Sequence, residues 1–161
     1  MSSAVHRRML KEYLAIQKNA SSRPHLLVLE PLQEDNLLHW RAILLGTQDS
    51  AYENGRFLLD IVIPSTYPIQ PPQVKFVTRI CHPNVHFKTG EICLDILKSE
   101  WTPSWNLESV LVAISSLLTN PEPSSPLNCD AGINPRISQC TMILSPLHYM
   151  HLTHPAICFV F

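Results

Sequence analysis

The chain has 161 residues, the size of one compact domain. Hydrophobic residues make up 45% and charged residues 16%, which excludes intrinsic disorder, and no stretch approaches the roughly 18 apolar residues of a membrane span. The net charge of -1, without a long Lys/Arg run, argues against nucleic acid or an anionic membrane as the main partner.

Proline and cysteine usage add two expectations. Fourteen prolines against four glycines predict rigid, extended connections. Five cysteines follow an N-terminus that lacks the apolar core of a secretory signal, so we expect free thiols in a reducing compartment. The last residues, Cys158–Phe161, match the prenylation pattern C-a-a-X formally, but Phe159 is a poor aliphatic residue and no polybasic segment precedes it.

The first predicted element is an amphipathic helix. Apolar side chains recur at helical spacing and follow a serine that can act as N-cap. The apolar positions are Val5, Met9, Tyr13 and Ile16, and the candidate caps are Ser2 and Ser3.

Four strands are predicted next, joined by short polar connections that suit hairpins. The candidate strands are His25–Leu29, Leu37–Leu45, Arg56–Ile63 and the alternating residues Val74, Phe76 and Thr78. A four-stranded antiparallel meander therefore follows the helix.

Proline-rich and irregular segments come after the third strand. Pro64–Pro72 is predicted to be a rigid, extended crossing, because residues before proline favour extended geometry. From Ile80 to Trp105 no helical period persists, and an irregular stretch of this length is typically functional. Asn106 then caps a helix with an apolar face, and Pro121 lies beyond its end.

Residues 133–161 differ in composition from the rest of the chain. All 13 acidic residues lie at or before Asp130, and Arg136 is the only fully charged residue of this segment. Its three prolines leave no window long enough for a helix that is stable on its own. We therefore predict a core domain over residues 1–132 and an atypical apolar tail over residues 133–161.

The long irregular stretch contains a thiol among ordered motifs. His82-Pro83-Asn84 precedes Cys93 by nine residues, counted from the asparagine, and Trp101-x-Pro103 lies before the capped helix. A Tyr-Pro-x-x-Pro-Pro crossing over residues 67–72 lies upstream. In this order, from about Ser3 to Gly132, the motifs resemble the ubiquitin-conjugating enzyme family.

The resemblance implies the α+β fold of that family, with an N-terminal helix, a four-stranded antiparallel meander, an active-site loop and a central helix. Family members usually continue into two more helices, which the apolar tail does not resemble, so we expect these to be absent or altered. Asn84–Leu97 and Pro121–Asp130 are similar to the peroxisomal type, in which the loop before the cysteine is one residue longer than in many members.

The resemblance implies that Cys93 receives ubiquitin as a thioester from the activating enzyme and passes it to substrate with a RING ligase. A thiolate suits this role because it is both a good nucleophile and a good leaving group. Asn84 would stabilise the oxyanion without a base that activates water, Pro83 would hold it rigid, and His82 would be structural, as in the family.

Other site residues are also implied by the resemblance. Ser125 occupies the position of a gate for the acceptor amine, where it could act by hydrogen bonding or could simply cap a turn. The implied ligase-docking residues are Ile69, Thr102, Pro103 and Ser104. The activating enzyme is implied to dock on Arg7, Arg8 and Lys11. These three residues could equally form a solvated helix face.

The peroxisomal type implies monoubiquitination of the cycling import receptor, with a membrane-anchored partner and peroxisomal RING ligases. The expected location is the cytoplasm, at the cytosolic face of the peroxisomal membrane. No bound cofactor is expected, because the activating enzyme uses the ATP, and no nucleic acid is expected as a partner.

Three alternatives stay open from the residues. Cys93 could be a buried core thiol, as Cys81 and Cys129 are expected to be buried or incidental thiols. Zinc could bind Cys81, His82, His86 and Cys93, although these lack a Cys-x-x-Cys pair and finger-like spacing. The chain could also be a catalytically impaired or non-catalytic protein that only binds partners, its tail arising from a changed reading frame or a retained intron.

Overall fold

A computed structural model describes residues 3–19 and 23–122 of the chain. Its elements, in chain order, are α1 (Ala4–Lys18), β1 (Leu26–Gln33), β2 (Asn36–Leu45), β3 (Arg56–Val62), β4 (Gln73–Phe76), a 3-10 turn (Asp95–Leu97) and α2 (Leu107–Thr119). The strands form one antiparallel sheet in the order β1-β2-β3-β4. The predicted α+β fold is confirmed. The segment 133–161, its boundary at residue 132 and the expected loss of further helices lie outside the described residues.

Side-chain periodicity explains how the two helices and the sheet share one core. In β3, Phe57, Leu59 and Ile61 are almost fully buried and alternate with outward-facing residues. Fully burying an aliphatic or aromatic side chain of this kind stabilises the fold by roughly 1.5–3 kcal/mol. Both helices contact β2, and their buried side chains join those of the sheet in one core. Among the described residues, no helix is long and apolar enough to cross a bilayer.

Both helices begin at side-chain caps. The Ser3 hydroxyl accepts a hydrogen bond from the His6 amide at 3.3 Å, which selects Ser3 from the two candidate caps. At the start of α2, the Asn106 side chain accepts from the Ser109 amide at 2.8 Å, and the Ser109 hydroxyl accepts from the Asn106 amide at 2.9 Å. This reciprocal capping box confirms the predicted helix start.

Two segments that contain proline differ in structure from the prediction. β1 continues through Pro31 to Gln33, beyond the predicted end at Leu29. It is an edge strand, where a missing amide can face away from the ladder. The expected extended crossing over Pro64–Pro72 is wrong for its first half, because residues 65–69 form turns closed by hydrogen bonds from the Tyr67 and Ile69 amides.

A buried carboxylate links four parts of the chain. Glu12, on α1, accepts hydrogen bonds from the Arg8 guanidinium at 2.6 Å, the Tyr67 hydroxyl at 2.6 Å and the Leu107 amide at 2.9 Å. Arg8 also donates to the Trp105 carbonyl at 2.7 Å. Glu12 therefore joins α1 to the Tyr67 turn, the Trp105 loop and the first turn of α2, although no local pattern in the sequence marks it.

Candidate active site

The His82-Pro83-Asn84 motif and Cys93 lie at the two ends of one small hairpin, residues 82–93, which we call the active-site hairpin. Val85 pairs with Ile92 across it, and Phe76 of β4 donates its amide to the Gly90 carbonyl at 2.9 Å. Gly90 has φ = 73°, and a Cβ there would lie 1.9 Å from the Phe76 carbonyl oxygen. Only glycine allows this close approach to the sheet.

Cys93 is a free, half-buried thiol at the end of the hairpin. Its amide donates to the Asn84 carbonyl at 2.8 Å, so the two motifs are brought together. The Lys98 ammonium lies 3.4 Å from the Cys93 sulfur. The thiol is therefore placed by backbone hydrogen bonds and stays partly accessible, as a nucleophile must be.

The Asn84 side chain is fully buried and fixed in orientation. Its amide nitrogen donates to the Glu122 carbonyl at 2.7 Å, and its oxygen accepts from the Glu122 amide at 2.9 Å. These two hydrogen bonds to the Glu122 backbone tie the hairpin to the segment that follows α2. The side-chain amide of Asn84 is the neutral N–H donor of the active-site hairpin.

His82 is buried with both ring nitrogens in hydrogen bonds. Nδ1 accepts from the Asn84 amide at 3.0 Å, so Nε2 carries the proton that is donated to the Leu117 carbonyl at 2.9 Å. Burial lowers the pKa of His82 to about 4, although the bond to Leu117 favours the charged form. The ring is therefore neutral near pH 7 and connects the hairpin to α2.

The lowered pKa of His82 predicts a loss of stability in mild acid. As the pH falls from 6.5 towards 4, the unfolded chain takes up a proton that the folded ring does not, so the free energy of unfolding falls by roughly 1 kcal/mol per pH unit. Urea denaturation at pH 7, 6 and 5 measures this slope. His82→Gln should give a less stable protein with a shallower slope, and equal slopes would contradict the assignment.

The remaining His and Cys candidates form no metal site. Within residues 3–19 and 23–122, no three His, Cys, Asp or Glu side chains are grouped to hold a metal. His86 instead accepts a hydrogen bond from the Thr89 amide at 3.1 Å. Cys81 is half-buried, and its carbonyl accepts a hydrogen bond from the Tyr52 hydroxyl at 2.7 Å.

Cys93 opens onto a cleft of about 270 Å³ beside α2. One wall is the segment that runs from the cysteine to Ile96, and the other is formed by Ala113 and Ser116 of α2 and by Asn120, which follows the helix. Such a cleft can hold an extended peptide end next to the sulfur.

The expected ligase-docking residues lie on two loops that are joined to each other. The Trp101 indole donates to the Pro68 carbonyl at 2.9 Å, and its ring packs against Tyr67. Ile69 beside this contact is 79% exposed. The other expected docking residues, Thr102, Pro103 and Ser104, are also exposed.

The basic residues of α1 do not behave as one group. Arg7 and Lys11 are exposed, whereas Arg8 is drawn into the Glu12 network and lies over the Tyr67 ring at 5.7 Å. The Arg8 side chain is still 30% exposed, and its expected docking role stays a prediction. Ser125, the expected acceptor gate, lies outside the described residues.

Comparison with known proteins identifies the class to which this fold and thiol site belong. The family described as ubiquitin-conjugating enzyme matches residues 8–138. The chain belongs to that family and is a transferase of ubiquitin conjugation.

Within the family, the chain is similar to ubiquitin-conjugating enzymes of the peroxisomal type. Protein PEROXIN-4 of Arabidopsis thaliana is 50% identical over 125 residues, which cover 78% of each chain. The ubiquitin-conjugating enzyme pex4 of Dictyostelium discoideum is 52% identical over 125 residues, which cover 78% of this chain and 82% of that one. The solved structure of H. polymorpha Pex4p, in complex with the soluble domain of Pex22p, is 38% identical, with a TM-score of 0.80 over 91% of this chain and 96% of that one.

Proposed function

We propose that Cys93 accepts the C-terminus of ubiquitin as a thioester from the activating enzyme and passes it to an acceptor with a RING ligase. The observation that carries the proposal is the placement of this free thiol, joined through its own amide to Asn84 and open to a peptide-sized cleft. ATP is consumed by the activating enzyme, and this chain needs no bound cofactor.

Each transfer exchanges one acyl bond for another. The Cys93 thiolate attacks the ubiquitin carbonyl carbon held on the activating enzyme, a tetrahedral oxyanion forms, and the activating enzyme's thiolate leaves. In the second transfer an acceptor nucleophile attacks the new thioester and the Cys93 thiolate leaves. We assign the side-chain amide of Asn84 to stabilising the oxyanion of this step.

His82 acts in this scheme as a positioning residue. Its ring accepts a hydrogen bond from the backbone N–H of Asn84 and donates one to the Leu117 carbonyl near the end of α2. A neutral imidazole with both nitrogens in hydrogen bonds cannot activate water, which favours a carrier of the thioester over a hydrolase. Pro83, between His82 and Asn84, fixes the turn that joins these contacts.

The similarity to peroxisomal enzymes supports a peroxisomal role. We propose that the chain acts in the cytoplasm, at the cytosolic face of the peroxisomal membrane, on the cycling import receptor. The related Pex4p was solved with the soluble domain of Pex22p, which supports a partner of that kind for this chain. Ile69 and Thr102–Ser104 would bind the RING ligase. The activating enzyme would bind Arg7, Arg8 and Lys11.

A non-catalytic binding protein is the second candidate, favoured by the composition of residues 133–161 and by a family match that ends at residue 138. A charging assay separates the two. The full chain, incubated with activating enzyme, ATP and ubiquitin, should form an adduct that reductant removes and that Cys93→Ala abolishes. Absence of an adduct, while a known carrier is charged in parallel, would leave the non-catalytic candidate.

A further inference from the structure

The two loops that are expected to dock the ligase contact each other directly. We call residues 67–69, which include Ile69, the first docking loop, and residues 101–105 the second docking loop. The Trp101 indole of the second loop donates to the Pro68 carbonyl of the first at 2.9 Å, and its ring packs against Tyr67 at a centroid distance of 5.9 Å. A partner that binds both loops at once therefore recognises their relative position as well as their side chains.

A single buried carboxylate oxygen connects to both docking loops through hydrogen bonds. Glu12 Oε1 accepts from the Tyr67 hydroxyl of the first docking loop at 2.6 Å. The same oxygen accepts from Arg8 Nε at 2.6 Å, and Arg8 Nη2 donates to the Trp105 carbonyl of the second docking loop at 2.7 Å. The Arg8 guanidinium also lies over the Tyr67 ring at 5.7 Å, so it closes the network between the two loops.

The second oxygen of Glu12 is also in use. Oε2 accepts from the Leu107 amide in the first turn of α2 at 2.9 Å, and the Glu12 side chain is only 8% exposed. A glutamine at this position has one acceptor oxygen and one NH2 group, so its NH2 group must face a donor on one of the two sides. Because the site is buried, water does not replace the lost acceptor, and the donor on that side is left unsatisfied or moves.

We propose that Glu12 is a positioning residue for ligase docking, which fixes the distance and orientation between the two docking loops without touching the ligase itself. The inference rests on the proposed function, because it requires a RING ligase at these loops. Glu12 is buried, whereas Ile69 and Thr102–Ser104 are exposed. All three donors to the carboxylate belong to residues outside the active-site hairpin. Substitution of Glu12 should therefore weaken ligase binding and leave the chemistry at Cys93 unchanged.

The test separates ligase affinity from chemistry. The full chain is charged with ubiquitin, ATP is removed, and discharge to free lysine is followed at increasing concentrations of a purified peroxisomal RING domain. For Glu12→Gln, the RING concentration that gives half-maximal acceleration should rise about tenfold, equivalent to about 1.4 kcal/mol of binding free energy. Interaction energies of this size are typical within one hydrogen-bond network. The rates without RING domain and at saturating RING domain should both stay within about twofold of the parent.

Ile61→Val is the matched control for a loss of stability alone. It removes one buried methyl group from the core side of β3, which lowers stability, and it should leave the half-maximal RING concentration unchanged. An equal shift in both variants, or no shift in Glu12→Gln, would overturn this inference, while accelerated discharge of the parent would uphold the proposed function. If the RING domain does not accelerate discharge of the charged parent, the ligase step of the proposed function and this inference are both wrong.

Discussion

Replacing Asn84 with alanine is expected to slow discharge of ubiquitin to an acceptor by about 10²–10³-fold, the usual effect of removing one oxyanion donor. Formation of the Cys93 thioester should persist, since the sulfur and its backbone bond to residue 84 remain. Single-turnover chase of the charged protein with a free amine acceptor measures the discharge rate.

The same substitution also removes the two hydrogen bonds to the Glu122 backbone. These bonds join a buried side chain to partly buried backbone groups, so we expect the free energy of unfolding to fall by about 1–3 kcal/mol. Stability measured beside discharge therefore separates the structural effect from the chemical one.

Two further variants test whether the amide N–H is the group that matters. Asn84→Asp keeps an acceptor for the Glu122 amide but loses both N–H donors, so its discharge should be as slow as that of the alanine variant. Asn120→Ala removes another amide side chain from the same cleft and should leave discharge within about threefold of the parent. Normal discharge by Asn84→Asp would refute the oxyanion assignment.

Glu12→Ala is expected to lower the free energy of unfolding by about 3 kcal/mol. Loss of the carboxylate leaves a partly buried guanidinium, a buried hydroxyl and a helix N-terminal amide without their shared acceptor. Removing one member of a buried, hydrogen-bonded charge pair typically costs about 3–5 kcal/mol. Urea denaturation of both proteins at pH 7 gives the difference directly.

Neighbouring substitutions provide the controls for Glu12. Lys11→Ala changes an exposed residue of the same helix and should shift stability by no more than about 0.5 kcal/mol. Glu12→Gln retains one acceptor oxygen and should lie between that control and the alanine variant. If Glu12→Ala costs no more than the Lys11 control, the carboxylate does not hold these elements together.

The helices and strands could be predicted because their cores are periodic in the sequence. The alternation from Phe57 to Ile61 and the Asn106 cap act over a few residues, so they can be found without knowing the fold. The full length of β1 could not be predicted locally, since whether a strand can pass through Pro31 depends on whether it lies at an edge of the sheet. Turn geometry after Pro64 likewise depends on hydrogen bonds that the proline spacing does not specify.

The thiol and the asparagine were found through ordered motifs, but the residues around them were not. Glu12 has partners 55 and 95 positions away, and without them a glutamate on an amphipathic helix is expected to face water. Lys98 reaches the sulfur only because a 3-10 turn intervenes. Both contacts are made by tertiary structure, which local sequence patterns do not encode.

The active-site hairpin is constrained at its base and open at its tip. Gly90 against the Phe76 carbonyl, and Val85 opposite Ile92, fix the register with which it reaches Cys93. Phe87–Thr89 at the tip are exposed. Differences in loop length between relatives can therefore be absorbed there without moving the thiol, and the same three residues are the place where a short reporter peptide could be inserted beside the active site.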